Sequence, residues 1–158
     1  MKLSHIGKKN RPAMVSVTGK AVTHRIAIAQ AVVTLPAAAA KLFARGELRT
    51  KKGPVFQTAL LAGVLGAKRA AELIPLCHTI PIENCQVDIQ LRRKRDVVIE
   101  CRVETHHKTG VEMEALTGAS IAALTVYDMC KSLSHGIVIK DLRLLEKRGG
   151  KKDFKTAN

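Results

Sequence analysis

From Thr23 to Leu35 the chain alternates, with Ile26, Ile28, Gln30 and Val32 on one side and Arg25, Ala27, Ala29, Ala31 and Val33 on the other. The alanines alone would suit a helix, but isoleucine and valine at period two predict a strand. A shorter strand is predicted before it, over Met14-Val15-Ser16-Val17. Pro36 suits the start of a helix running from Ala37 to Ala44, with Gly46 as its stop. A second helix is predicted from Lys51-Lys52-Gly53-Pro54 to Leu73, because a proline in the first turn gives up an N–H that has no helical partner there. Its interior glycines, Gly63 and Gly66, weaken it but permit close packing.

Pro75 and Pro81 bracket an extended segment, Leu76 to Ile80. Two strands follow, over 84–93 and 96–106, joined by a turn in Arg93-Lys94-Arg95-Asp96. Val87, Ile89 and Leu91 alternate in the first, and Val98, Glu100, Arg102 and Glu104 in the second. A long helix is predicted from Val111 to Leu133, small or apolar around nearly its whole circumference and so largely buried. Beyond Gly136 a last strand runs from Ile137 to Leu145. Apart from the short helix after Pro36, the order is β-α-β-β-α-β. That is an α+β fold of ferredoxin-like type, an antiparallel sheet with helices on one face. One catalytic domain, 13–148, is expected between a flexible basic arm over 1–12 and a basic, glycine-rich tail over 149–158.

Charge narrows the partners. Lys and Arg number 27 against 13 Asp and Glu, a net +14, which favours anions: nucleic acid, acidic lipid or polyphosphate. Aromatic residues make up only 3%, namely Phe43, Phe56, Tyr127 and Phe154, so the stacking platform of single-strand binders is missing. No apolar run approaches the roughly 20 residues needed to span a bilayer. Met1 to His5 leads into Lys8-Lys9-Asn10-Arg11 with no secretory signal, so a cytoplasmic protein is expected. Cys77, Cys85, Cys101 and Cys130 form no CxxC pair and read as small buried hydrophobes, with no metal site.

The long helix carries the most pointed chemistry. At about 100° per residue, Glu114, Thr117, Ser120, Asp128 and Lys131 fall within a sector of about 120°, interrupted midway by Ile121 and Leu124. The polar groups therefore form two clusters on one side. Charges on an otherwise apolar helix suit a cleft that tunes proton affinities, while Asp128 and Lys131 are equally compatible with a solvated i, i+3 pair. Lys51-Lys52-Gly53 at a helix start suits an anion, though a solvated basic turn explains it as well. Lys68-Arg69 and Lys147-Arg148 have the same two explanations, and His78 is either a binding residue or a structural one. From the residues alone, a basic nucleic-acid-binding protein of ribosomal type is the alternative to an enzyme, and a phosphate-binding module without chemistry is a third reading.

The segments KAVTHRIAIA around Arg25, KKGPVFQTALLAG, AKRAAELIPLCHTIP, KTGVEMEALTGASIAALTVYDMCK and RLLEKRGGKKDF resemble the cyclic pyranopterin monophosphate synthase family of molybdenum-cofactor biosynthesis, from Met14 to Phe154. The resemblance implies a ferredoxin-like subunit in a homohexamer, a trimer of dimers with each site at a subunit interface. It implies a lyase that rearranges cyclised dihydro-GTP to cyclic pyranopterin monophosphate and releases pyrophosphate. It also implies site roles. Asp128, Lys131 and Lys52 are the catalytic candidates; Leu76, Cys77, His78, Met113 and Glu114 contact substrate; Arg25, Lys68 and Lys147 meet the triphosphate; and Glu112 lies in the pocket. No cofactor is required, with a divalent ion such as magnesium as a companion of the triphosphate, and neither membrane nor nucleic acid is a partner. Ser16, Pro54 and Thr79 depart from the family's usual Asp, acidic residue and Pro, and bear on loop geometry.

Overall fold

Strand β1 (Thr23–Thr34) lies at the centre of a five-stranded antiparallel sheet of order β5-β6-β1-β7-β8 in a computed structural model that describes residues 11–93 and 95–157. Its neighbours are β6 (Asp96–His107) and β7 (Val138–Arg148), with β5 (Asn84–Arg92) and β8 (Phe154–Lys155) at the edges. The chain is an α+β protein.

The alternation in β1 decides the layering. Ala27, Ala29, Ala31 and Val33 are fully buried, as are Val97, Ile99, Cys101 and Val103 of β6. Helix α4 (Glu112–Cys130) packs across β1, β6 and β7 on this face, and α2 (Val55–Lys68) packs on α4 and β5. Small side chains on both layers bring the backbones close. A Cβ at Gly63 would lie 3.1 Å from the Gly118 carbonyl oxygen, and one at Gly118 only 2.5 Å from Cys101 Sγ. The helices cross where neither carries a side chain. Thr105, the one polar residue at the end of the β6 stripe, is buried with its hydroxyl donating to the Pro81 carbonyl at 2.7 Å.

Several elements differ from the sequence expectation, each for a local reason. Residues 14–17 form no strand; the Val15 carbonyl meets His78 Nε2 and the Val17 carbonyl accepts from the Lys20 N–H in a turn. The helix after Pro36 is a single turn, α1 (Ala37–Ala40), and the chain then enters β2 (Phe43–Ala44). Arg45 and Gly46 have φ of 53° and 81°, the two-residue turn that closes a tight hairpin with β3 (Glu47–Thr50). Gly46 is thus a hairpin residue and not a helix stop. With β4 (Gly53–Pro54) these strands make a second, three-stranded sheet.

The second helix begins one residue after Pro54 and breaks at Arg69, leaving α3 (Ala70–Leu73) as a separate turn ahead of Pro75. The last strand extends to Arg148. The residues expected to form a tail instead turn at Gly149, with φ of 81°, and return as β8 beside Glu146 and Lys147. A Cβ at Gly149 would meet the His24 carbonyl oxygen at 1.8 Å, so only glycine fits this return. The expected N-terminal arm lies outside the described residues except for Arg11 and Pro12.

Candidate active site

The charged groups of α4 sit at its two ends. At the C-terminal end, Asp128 accepts from Lys131 Nζ at 2.8 Å and from Lys52 Nζ at 2.7 Å, one ammonium on each carboxylate oxygen. Lys52 Nζ also donates to the Asp128 carbonyl at 3.0 Å, which ties the loop before α2 to the end of α4. The Lys131 and Lys52 hydrogen bonds hold the Asp128 carboxyl down to about 2. Asp128 in turn pushes Lys131 upward, so in this arrangement Lys131 is held as a cation and hydrogen-bond donor. All three side chains stand about half exposed.

The start of α2 does not offer the expected anion site. Glu47, at the start of β3, turns its carboxylate onto the helix end and accepts from the Phe56 N–H at 2.8 Å and the Gln57 N–H at 3.2 Å. It also takes its neighbour Leu48's N–H at 2.7 Å. The helix dipole is therefore satisfied from within the chain, and Lys52 is left to pair with Asp128.

The N-terminal end of α4 lines a cavity of about 1000 Å³. Leu76, Cys77 and His78 from the extended segment face Glu112, Met113 and Glu114 across it. Glu114 is 3% exposed; Cys77 Sγ donates to its Oε1 at 3.6 Å, while Oε2 has no hydrogen-bond partner among the described residues. Burial pushes the Glu114 carboxyl up. Burial and then the Glu114 charge push the Cys77 thiol up to about 11, so it is a donor and not a thiolate. His78 Nε2 lies 2.8 Å from the Val15 carbonyl, which can only accept, so Nε2 carries the proton of that hydrogen bond.

A second, smaller cavity of about 200 Å³ shares Lys20, Thr109, Gly110, Glu112, Lys147 and Lys151 with the first. It is lined by the cations Lys20, Arg25, Lys108, Lys147, Arg148 and Lys151, and Glu112 pairs there with Lys147 at 3.0 Å. Arg25 is fixed by the His107 carbonyl at 3.2 Å and the Lys108 carbonyl at 3.4 Å, holding the loop that leads into α4. An apolar-walled cavity opening on a cationic pocket suits a ring system attached to a phosphate chain.

Asp128, Lys131, Lys52 and Lys68 line neither cavity. Glu114 and Asp128 are about four helical turns apart, roughly 21 Å at 1.5 Å per residue. One small molecule held at Glu114 does not reach Asp128 of the same chain. Lys68 stands exposed in the last turn of α2.

Three lining cations escaped the sequence argument: Lys20, Lys108 and Lys151. Lys147-Arg148 is legible as a basic pair, but Lys151 falls in the expected tail because the Gly149 return is invisible in composition. Lys20 and Lys108 come together only because β1 and β6 pair with Thr23 opposite His107. Among the described residues, no group of three or more His, Cys, Asp and Glu side chains is placed to hold a metal ion.

A model of the MoaC family matches residues 14–150. The chain is similar to a cyclic pyranopterin monophosphate synthase of Xanthomonas oryzae, 49% identical over 156 residues that cover 99% of this chain and 94% of that protein. A molybdenum cofactor biosynthesis bifunctional protein of Synechocystis is 49% identical over 154 residues, 95% of this chain and 44% of that protein. Molybdenum cofactor biosynthesis protein 1 of Drosophila melanogaster is 46% identical over 153 residues, 96% of this chain and 27% of that protein. The chain thus spans less than half of these two longer relatives and nearly all of the shorter one. With Leu76–His78 and Glu112–Glu114 inside the matched region, the protein belongs to the MoaC family.

Proposed function

We propose that the chain is a cyclic pyranopterin monophosphate synthase. It converts cyclised dihydro-GTP, 3′,8-cyclo-7,8-dihydroguanosine triphosphate, to cyclic pyranopterin monophosphate with release of pyrophosphate, a lyase reaction at phosphorus and oxygen. The observation that carries this reading is the pair of joined cavities, one walled by Leu76–His78 and Glu112–Glu114, the other by cations. The first has room for the purine-derived ring, and the second suits the triphosphate.

Ring opening and reclosure require several proton transfers, and phosphate cyclisation requires cations where charge accumulates. In our reading Lys131 and Lys52 donate or relay protons around the ionised Asp128, while Glu114 and His78 hold the ring. Lys147 and Arg25 neutralise the leaving pyrophosphate, and Lys68, which lines neither cavity of its own chain, joins them from another copy. No resident cofactor is assigned; a magnesium ion would enter as a companion of the phosphates.

The distance between the two ends of α4 supports a composite site, with Asp128, Lys131 and Lys52 of one copy completing the cavity of another. Exposed leucines favour such association: Leu61 and Leu65, one turn apart on α2, are 64% and 54% exposed. We therefore read the working form as a homohexamer, a trimer of dimers in the cytoplasm. Each subunit is one domain, which we classify as ferredoxin-like because β5-β6-β1-β7 with two helices on one face is that order. No helix among the described residues is long and apolar enough to cross a membrane. Incubation with freshly made cyclised dihydro-GTP should yield pyrophosphate and the pyranopterin in equal amounts; no turnover by the folded oligomer would remove the reading.

A further inference from the structure

Glu112 stands where the two cavities meet and is the one carboxylate lining the smaller one among the described residues. Its Oε1 accepts from Lys147 Nζ at 3.0 Å. Its Oε2 lies against Gly110, where an added Cβ would fall 2.0 Å away, so the missing side chain at 110 is what lets the carboxylate fold onto the lysine. Around this pair stand Lys20, Arg25, Lys108, Arg148 and Lys151.

Like charges gathered in so small a space repel one another, and a carboxylate among them relieves part of that repulsion while the pocket is empty. An arriving phosphate chain offers Lys147 several charged oxygens in place of two. We propose that Glu112 is a resident counter-ion that holds Lys147 in the empty site, is displaced by the polyphosphate, and by recapturing Lys147 sets how readily pyrophosphate leaves. The inference rests on the polyphosphate reading above and adds a role for Glu112 that substrate contact alone does not give it.

The physical consequence has an unusual sign. A carboxylate that only supported the fold or held substrate would weaken binding when neutralised. A competing counter-ion strengthens anion binding when neutralised, because Lys147 is then free and a nearby negative charge is gone. In a partly solvated pocket the gain should be on the order of tenfold.

The test titrates the full-length protein with inorganic pyrophosphate by calorimetry. E112Q should bind pyrophosphate on the order of tenfold more tightly than wild type and be more strongly inhibited by it as product. In a K147Q background the same change should gain much less, since the lysine contested by the two anions is absent. Gly110→Ala provides a second variant that keeps the charge but pushes the carboxylate off Lys147, and it should also tighten pyrophosphate binding. Unchanged or weaker pyrophosphate binding in both E112Q and Gly110→Ala overturns the proposal, as does an equal gain with and without Lys147. Turnover of cyclised dihydro-GTP by wild type reports separately on the underlying reading. Turnover with unchanged E112Q affinity removes the counter-ion alone, whereas tighter E112Q binding without wild-type turnover keeps it and removes the synthase.

Discussion

Cys77 Sγ donates to Glu114 Oε1 at 3.6 Å across the seam between the extended segment and α4. The carboxyl it meets is buried, raised by that burial, and, among the described residues, bonded at only one of its oxygens. The folded chain therefore holds a proton on Glu114 at pH values where the unfolded chain has released it. Stability from this group is present below the ordinary carboxylate value near 4.5 and declines as pH rises through the folded value. Glu114→Gln, which is neutral at every pH, should flatten that decline. Thermal melts between pH 4 and pH 9 check it (roughly the window around a carboxylate raised by burial): parallel curves for the two proteins would mean the carboxyl titrates normally.

Asp128 has the opposite linkage. Its carboxyl is held at about 2 by Lys131 and Lys52, so its share of stability is present above the ordinary value of 3.8 and lost as pH falls through about 2. The group is exposed, so the folding effect should be slight and the chemical one large. Lys131→Ala should reduce turnover by about 10²-fold or more while leaving a folded oligomer. A carboxyl NMR titration should show Asp128 moving up toward its ordinary value in the same variant. Near-normal turnover would remove Lys131 from the chemistry.

A composite site predicts complementation. Lys131→Ala and His78→Ala oligomers, each defective alone, should regain activity when unfolded and refolded together, because a mixed pair contains one intact site. Activity no higher than the sum of the separate proteins would place both ends of α4 in unconnected roles.

Glu47 links the small sheet to α2 through the Phe56 and Gln57 N–H groups. Glu47→Ala should cost about 1–2 kcal/mol, the usual loss for a helix cap with a charge near the dipole. Urea denaturation reads this directly, and a change under a few tenths would mean water replaces the carboxylate without penalty.

The crossing of α2 and α4 sets two effects against each other. Replacing a helix-interior glycine with alanine normally gains up to about 1 kcal/mol. At Gly118 the new methyl would lie 2.5 Å from Cys101 Sγ and 3.3 Å from Ala67 Cβ, in a packed layer with no room to yield. Overpacking of this kind costs about 1–3 kcal/mol, so Gly118→Ala should be net destabilising. A raised melting temperature would show that the helices can separate.

The main elements were legible because their patterns repeat. Period two in β1, β5 and β6 and the largely small and apolar circumference of α4 mark these elements and their faces. What failed were features decided by one or two backbone angles. The Arg45-Gly46 turn cut a helix short into a hairpin, and the Gly149 return made a strand from a tail. Neither carries a periodic signal, and both glycines serve positive φ in ways composition does not distinguish.

The candidate site divides the same way. Its residue types and the two clusters on α4 followed from the sequence, since helical geometry is local. The cationic pocket did not, because Lys20, Lys108 and Lys151 are far apart in the chain and meet only through strand pairing and the Gly149 turn. Nor could sequence show that Glu47 occupies the α2 helix end. By itself the sequence determined the strands, the buried helix and the inventory of charged groups, all matters of short-range period and composition. The tertiary structure decided which charges share a cavity, which are already neutralised, and that Asp128, Lys131 and Lys52 stand outside both cavities of their own chain.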